Sequence, residues 1–261
     1  MPETEPIPLR LPPPKRWKPW LWWSVAAVVL IPGLCSGFLV PAVRDAREAA
    51  RRTQCRGHFY GISMALSNYH DAYGSYPPAF IADEQGRPMH SWRVLILPFI
   101  DETELYRKYR FDEAWDGPHN RQLHDSIVRL YNCSSEQPKE ASPYTSYVAV
   151  IGPETFWRKE NLTRDSDITD PRNSTLVVVE IAHSFIHWME PRDLEMSHMS
   201  FPVNPTTGKG ISSSHKGGAH VLFADGEARL LPDTLSADAV RSLLTISGQE
   251  IHPKLKWADG N

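Results

Sequence analysis

From Pro19 to Val43 the chain carries no charged side chain: PWLWWSVAAVVLIPGLCSGFLVPAV. This stretch constrains the fold more than any other. About 20 apolar residues span a hydrocarbon core of ~30 Å, and only helices or closed barrels satisfy their backbone polar groups there. Trp20, Trp22 and Trp23 stand where an interfacial aromatic belt would lie. Lys15, Arg16 and Lys18 precede the run, and Arg44, Arg47, Arg51 and Arg52 follow it. A transmembrane helix over 19–43 is therefore expected, kinked at Pro32 and Pro41, each of which removes a ladder hydrogen bond.

The stretch admits two other readings. A cleaved signal peptide would use Trp20 to Ile31 as its apolar region and break at Pro32. A lipoprotein would acylate Cys35, but the leucine just before that cysteine is wrong for such a site. The retained helix is the favoured expectation.

The run continues without a break into RDAREAARRTQCRGHFYGISMALSNYHDAYG. Glu48 can pair with Arg51 and Arg52 at i+3 and i+4. Phe59, Ile62, Leu66 and Tyr69 recur at helical spacing and make one apolar face. Gly74 and the Pro77–Pro78 pair end the element. One long helix is expected, its first half in a bilayer and its second half against a globular domain.

The domain that follows is long enough for one sizeable core. Residues 1–18, rich in proline, read as a disordered cytoplasmic tail. Residues 44–248 form the domain and 249–261 an irregular tail. Ser91 in SWRVLILPFI can cap a helix, and a buried strand fits the same pattern. Asp101 with Glu104 has the reciprocal capping spacing. TSYVAVIG and STLVVVEIA read as strands between turn residues. His220–Ala224 and Glu227–Leu231 alternate around Asp225–Gly226, the pair favoured in a type I′ hairpin turn. Ser236 caps a last short helix. The fold class expected is α+β, a long helix packed on a mainly antiparallel sheet.

With a net charge of -3 over 261 residues, no large basic field points to nucleic acid. Cys55 and Cys133 are candidates for a disulfide if the domain lies outside the cytoplasm; the alternative is two separate buried thiols. His215, His220 and Asp225 are the best metal-ligand types in one short stretch, and His183 and His187 stand four apart. The latter pair lacks the glutamate of a zinc-protease helix. No catalytic residue, metal ligand or cofactor is assigned.

PAVRDAREAARRTQC, NYHDAYGSYPPA, SWRVLILPFIDETELY, DEAWDGPHN, TSYVAVIGP and VVVEIAHSFIHWMEPRDL are together similar to a large bacterial family best known from planctomycetes, domain of unknown function 1559. The C-terminal signature of that family, a histidine, nine residues and Asp-Gly, matches His215, Asp225 and Gly226. The resemblance implies a prepilin-like or pseudopilin-like protein with a pilin-like domain. Two departures stand out. Prepilins carry a glutamate inside their processing site, and this chain has none between Glu5 and Glu48. The family's Asp-Gly-Thr-Ser-Asn-Thr loop is here Asp170–Pro171–Arg172–Asn173–Ser174–Thr175.

The expectation is a non-enzymatic, membrane-anchored structural or binding protein in the inner (cytoplasmic) membrane, its C-terminal domain outside the cytoplasm. The lipid bilayer is its partner through residues 19–43, with homo-oligomers or a secretion-type assembly as further candidates. The alternatives are a solute- or polysaccharide-binding module using aromatics such as Trp157 and Trp188, or a metal-dependent hydrolase.

Overall fold

The computed structural model describes residues 19–136, 142–159 and 161–248, with side chains from residue 39 onward. The expected tails, 1–18 and 249–261, lie outside the described residues, as do the side chains of the expected span up to residue 38. Among the described residues no helix is long and apolar enough to cross a membrane. The chain divides into two compact units, residues 1–47 and 48–261. Helix α1 runs from Pro19 to Tyr73, and its portion from Glu48 belongs to the second unit.

The second unit is α+β. Its main sheet has four antiparallel strands in the order β3-β5-β7-β8, formed by Tyr147–Val148, Leu176–Glu180, Gly218–Phe223 and Ala228–Pro232. Phe80–Ala82 (β1) and Pro88–Ser91 (β2) make a separate antiparallel pair. TSYVAVIG is divided: β3 joins the main sheet, while Val150–Ile151 (β4) pairs in parallel with Leu194–Glu195 (β6).

Alternation along the strands separates two cores. Tyr147, Val178 and Leu222 face one way, into a cluster with Phe59, Ile62, Ala65 and Leu66 of α1. Val148, Val179, Ala219, Val221 and Phe223 face the other way, against Val240, Leu243 and Leu244 at helix α4, Ala237–Ser242. Strands buried on both faces read as near-continuous apolar runs, as LVVV does here. Phe59 and Tyr147 meet with ring centroids 4.5 Å apart, while Tyr69 is only partly buried at the edge of the cluster.

Capping chemistry follows the sequence at two places and departs at a third. Ser91 accepts from the N–H of Arg93 at 3.2 Å and starts α2, Trp92–Leu95. Ser236 accepts from the N–H of Ala239 at 3.2 Å and starts α4. Asp101 does not cap α3, Thr103–Lys108: it sits at φ 62°, Glu102 takes the cap position, and no side-chain cap bond forms. The left-handed turn at Asp101 shifts the helix start by one residue and breaks the expected spacing.

The hairpin turn also differs from a type I′ turn. Of the Asp225–Gly226 pair, only Gly226 has positive φ, 87°. The N–H of Gly226 donates to the Phe223 carbonyl and the N–H of Phe223 to the Glu227 carbonyl, both at 3.0 Å. This is the three-residue loop with one left-handed residue at its end. Asp225 instead accepts from the N–H of Glu227 at 3.0 Å and pairs with Arg229 at 2.6 Å. At the other end of the hairpin, a Cβ on Gly218 would lie 2.2 Å from the Leu231 carbonyl oxygen, so only glycine fits.

Among the described residues the Arg93–Asp193 ion pair is fully buried. Arg93 reaches Asp193 at 2.8 Å and also donates to the Arg192 carbonyl at 2.9 Å. Asp193 accepts from the N–H of Ala149 at 2.8 Å and from Trp92 Nε1 at 3.3 Å. Burial pushes the Asp193 carboxyl up to about 6, against the pull of the Arg93 guanidinium. The pair fastens α2 to the segment leading into β4 and β6.

Leu66→Ala should cost about 2–5 kcal/mol in denaturant unfolding, because Leu66 is 2% exposed between α1 and the sheet. Asp193→Ala should cost about 3–5 kcal/mol, since it strands a buried guanidinium. A loss below about 1 kcal/mol at either position would contradict the packing described here.

Candidate functional site

The seven-residue pattern of the α1 face begins earlier than its apolar part. Glu48, Cys55, Ile62 and Tyr69 are seven apart, interleaved with Arg52, Phe59 and Leu66. These positions share one face of a helix. The face is apolar from Phe59 onward and polar toward Glu48. The sheet face opposite changes in the same direction. Leu222 and Val178 lie in the apolar cluster, and two residues along their strands come His220 and Glu180. Where the two polar ends meet, the chain brings in His215 and Cys133.

The result is a buried cluster of Cys55, Cys133, Glu180, His215 and His220, with Glu48 at its margin. The Sγ atoms of Cys55 and Cys133 are 2.9 Å apart, and both residues are thiols. His215 Nε2 lies 3.5 Å from Cys133 Sγ, and His215 Nδ1 lies 2.6 Å from Glu48 Oε1. The N–H of Ser134 donates to Cys55 Sγ at 3.3 Å, and that of Cys133 to Ser146 Oγ at 2.8 Å. The N–H of His220 donates to Glu180 Oε2 at 3.0 Å. His220 Nδ1, 3.6 Å from the same oxygen, makes no hydrogen bond, and neither does the buried Tyr147 hydroxyl. Rings of His215 and His220 meet edge to face, 4.8 Å apart.

Electrostatics follow from these contacts. Burial alone would raise the Glu48 carboxyl, but hydrogen bonds to His215 and Arg51 bring it down to about 2. Arg51 pairs with it at 2.6 Å, and Arg52, at 3.6 Å, also donates to the Lys216 carbonyl at 2.7 Å. Burial opposes the charged form of His215, yet its thiol and carboxylate neighbours raise it above the ordinary imidazole range. Of the two thiols, Cys55 is lowered to about 4 by the hydrogen bond from Cys133, and Cys133 is raised by the same bond. Glu180 is held below the usual carboxylate range: its burial is outweighed by His220, Cys133 and His215. The cluster thus favours a thiolate, an imidazolium and carboxylates, shielded from water.

Sequence-level candidates separate here. Cys55, Cys133 and His215 come together; Asp225 and Gly226 do not join them but close the hairpin at its far end. There Ala224 donates to the Thr175 carbonyl at 2.8 Å and Asp225 to the Arg172 carbonyl at 3.2 Å. The loop with Pro171, at φ -56°, makes a short 3-10 turn over Arg172–Ser174. Asp170 accepts from the N–H of Gly248 at 2.8 Å. His183 and His187 are not a pair: His183 approaches Glu136, and His187 stacks on Trp115 and lies tilted against His124. Trp157 and Trp188 are 2% and 1% exposed, so neither offers a stacking surface. Spacing marks Glu48 only as a partner for Arg51 and Arg52 and does not mark Glu180; extending the heptad back from Phe59 through Cys55 reaches Glu48 as a member of the cluster.

The fold and this joint define an α+β domain whose long N-terminal helix is fastened to an antiparallel sheet through a Cys/His/Glu cluster. The chain belongs to the family described as Protein of unknown function (DUF1559), which matches residues 44–175, half of its length. No curated protein and no solved structure matched it.

Glu48→Ala should destabilise the domain by about 1–3 kcal/mol, because it removes the acceptor from the buried His215 Nδ1. Glu48→Gln, which keeps an acceptor oxygen, should cost less. Chemical denaturation of both variants checks the order, and equal losses would contradict it.

Proposed function

We propose that the protein is a membrane-anchored, extracytoplasmic structural or binding protein of pilin-like architecture, held in the bilayer through residues 19–43. One observation carries this reading. Helix α1 is continuous from Pro19 to Tyr73, so the uncharged run of the sequence passes directly into the half of the helix that the domain buries. Leu39, Val40 and Val43, within that run, are exposed, which suits a lipid surface.

A role in presentation rather than turnover fits the cluster. Its thiols, imidazoles and Glu180 are buried and face one another instead of a substrate. Family membership and the long N-terminal helix support a prepilin-like origin. Assembly into a filament through an N-terminal glutamate is not part of the proposal, since none lies between Glu5 and Glu48.

Expressed in a Gram-negative host, the full chain should remain in the membrane pellet after alkaline carbonate extraction. Protease added to intact spheroplasts should remove the domain. Release by carbonate, or full protection from the protease, would contradict the anchor or its orientation.

A further inference from the structure

We infer that Cys55, Cys133 and His215 form a structural binding site for a thiophilic divalent cation of the zinc class, beside the buried carboxylate of Glu180. The inference goes beyond the membrane reading and stands whether or not that reading holds.

Donor type and position come first. Cys55 Sγ, Cys133 Sγ and one ring nitrogen of His215 lie within 4.8 Å of one another, all on buried residues. One ligand atom each from Glu180, His215 and His220 makes a second such group, which shares His215 with the first. Zinc takes sulfur at about 2.3 Å and imidazole nitrogen at about 2.0–2.1 Å in a tetrahedron. Those lengths put sulfur and nitrogen about 3.5 Å apart and the two sulfurs about 3.8 Å apart. The Cys133–His215 separation is already 3.5 Å, and the thiols, at 2.9 Å, need to part by less than about 1 Å.

The surroundings of the ligands match what such a site requires. A ligating histidine donates its other ring N–H to a carboxylate, which fixes its tautomer and aims the free lone pair. His215 is so arranged: Nδ1 is spent on Glu48 Oε1 at 2.6 Å, and Nε2 faces the sulfurs. Glu48 is in turn held by Arg51 and Arg52. The Ser134 N–H on Cys55 Sγ is a donor that a metal-bound thiolate retains.

An independent observation points the same way. Glu180 is a carboxylate at 1% exposure whose ion-pair partner is His220, and His220 Nδ1 is itself buried without a hydrogen bond. Buried charges are paired or coordinate metals. A dication held by the two sulfurs and His215 adds positive charge beside the Glu180 carboxylate. Binding is proton-balanced: the Cys133 thiol and the His215 Nε2–H each release a proton to solvent, both sulfurs coordinate as thiolates, and no oxidant takes part. A Cys55–Cys133 disulfide is the competing fate. It needs an oxidant to remove two electrons and would take both sulfurs out of the site.

The test uses the full chain purified in detergent without chelator. Zinc by mass spectrometry should approach one equivalent per chain. After reduction and metal removal, cobalt(II) should restore a thiolate-to-cobalt charge-transfer band and the intense visible bands of a tetrahedral site. Cys55→Ser and His215→Ala should lower bound zinc at least tenfold, whereas Asp225→Asn should leave it unchanged. The wild-type cobalt titration needs no variant to fold. Reduced, folded protein that gives no charge-transfer band overturns the inference, and so does cobalt binding that survives in both Cys55→Ser and His215→Ala.

Discussion

The structure depends on one stripe of α1 laid along one face of the four-stranded sheet. Phe59, Ile62 and Leu66 of the helix enclose Tyr147, Val178 and Leu222 of the sheet, and this apolar contact organises the larger of the two cores. A helix of this kind draws its stability from the packed face more than from local propensity. The opposite sheet face is closed by α4, so the sheet is buried on both sides and its register is strongly specified.

The stripe changes character along its length, and this gives the domain a place for chemistry. At the Leu66 end the contact is dry and apolar. At the Glu48 end the same spacing delivers a carboxylate and a thiol, and the strands answer with Glu180 and His220. A buried polar group costs free energy unless it finds a partner. The chain meets this by bringing His215 in from the loop before β7 and Cys133 from the segment before β3. His215 of the family signature therefore serves the helix–sheet joint, while Asp225 and Gly226 shape the turn at the other end of β7. The signature's spacing is the length of strand β7 with its approach and turn, which is a reason rooted in fold.

Much of this was legible in the sequence. The apolar face from Phe59 to Leu66, the strands in STLVVVEIA and around Asp225–Gly226, and the caps at Ser91 and Ser236 follow from periodicity and capping chemistry alone. Other features escaped for identifiable reasons. Asp101 carries the right spacing for a cap, yet a left-handed turn at that residue moved the helix start. The Asp-Gly pair marks a hairpin, but dipeptide composition does not separate a two-residue from a three-residue loop. The parallel β4–β6 pair splits a single apolar run between two sheets, a choice made by tertiary contacts. The cluster joins residues from α1, β5, β7 and two loops, so no local spacing could assemble it. The sequence offers Cys55 with Cys133 as a disulfide candidate and His215 with His220 as ligand types, and Glu48 continues the heptad, but nothing in it marks Glu180.

If the α1 stripe is the element on which the sheet depends, the two must open together. Native-state hydrogen exchange on the full chain in detergent measures this directly. Amides of residues 55–66 and those of β5 and β7 should exchange with one common free energy, equal to that of global unfolding. Exchange of residues 55–66 through a lower-energy local opening, with β5 and β7 still protected, would contradict the account.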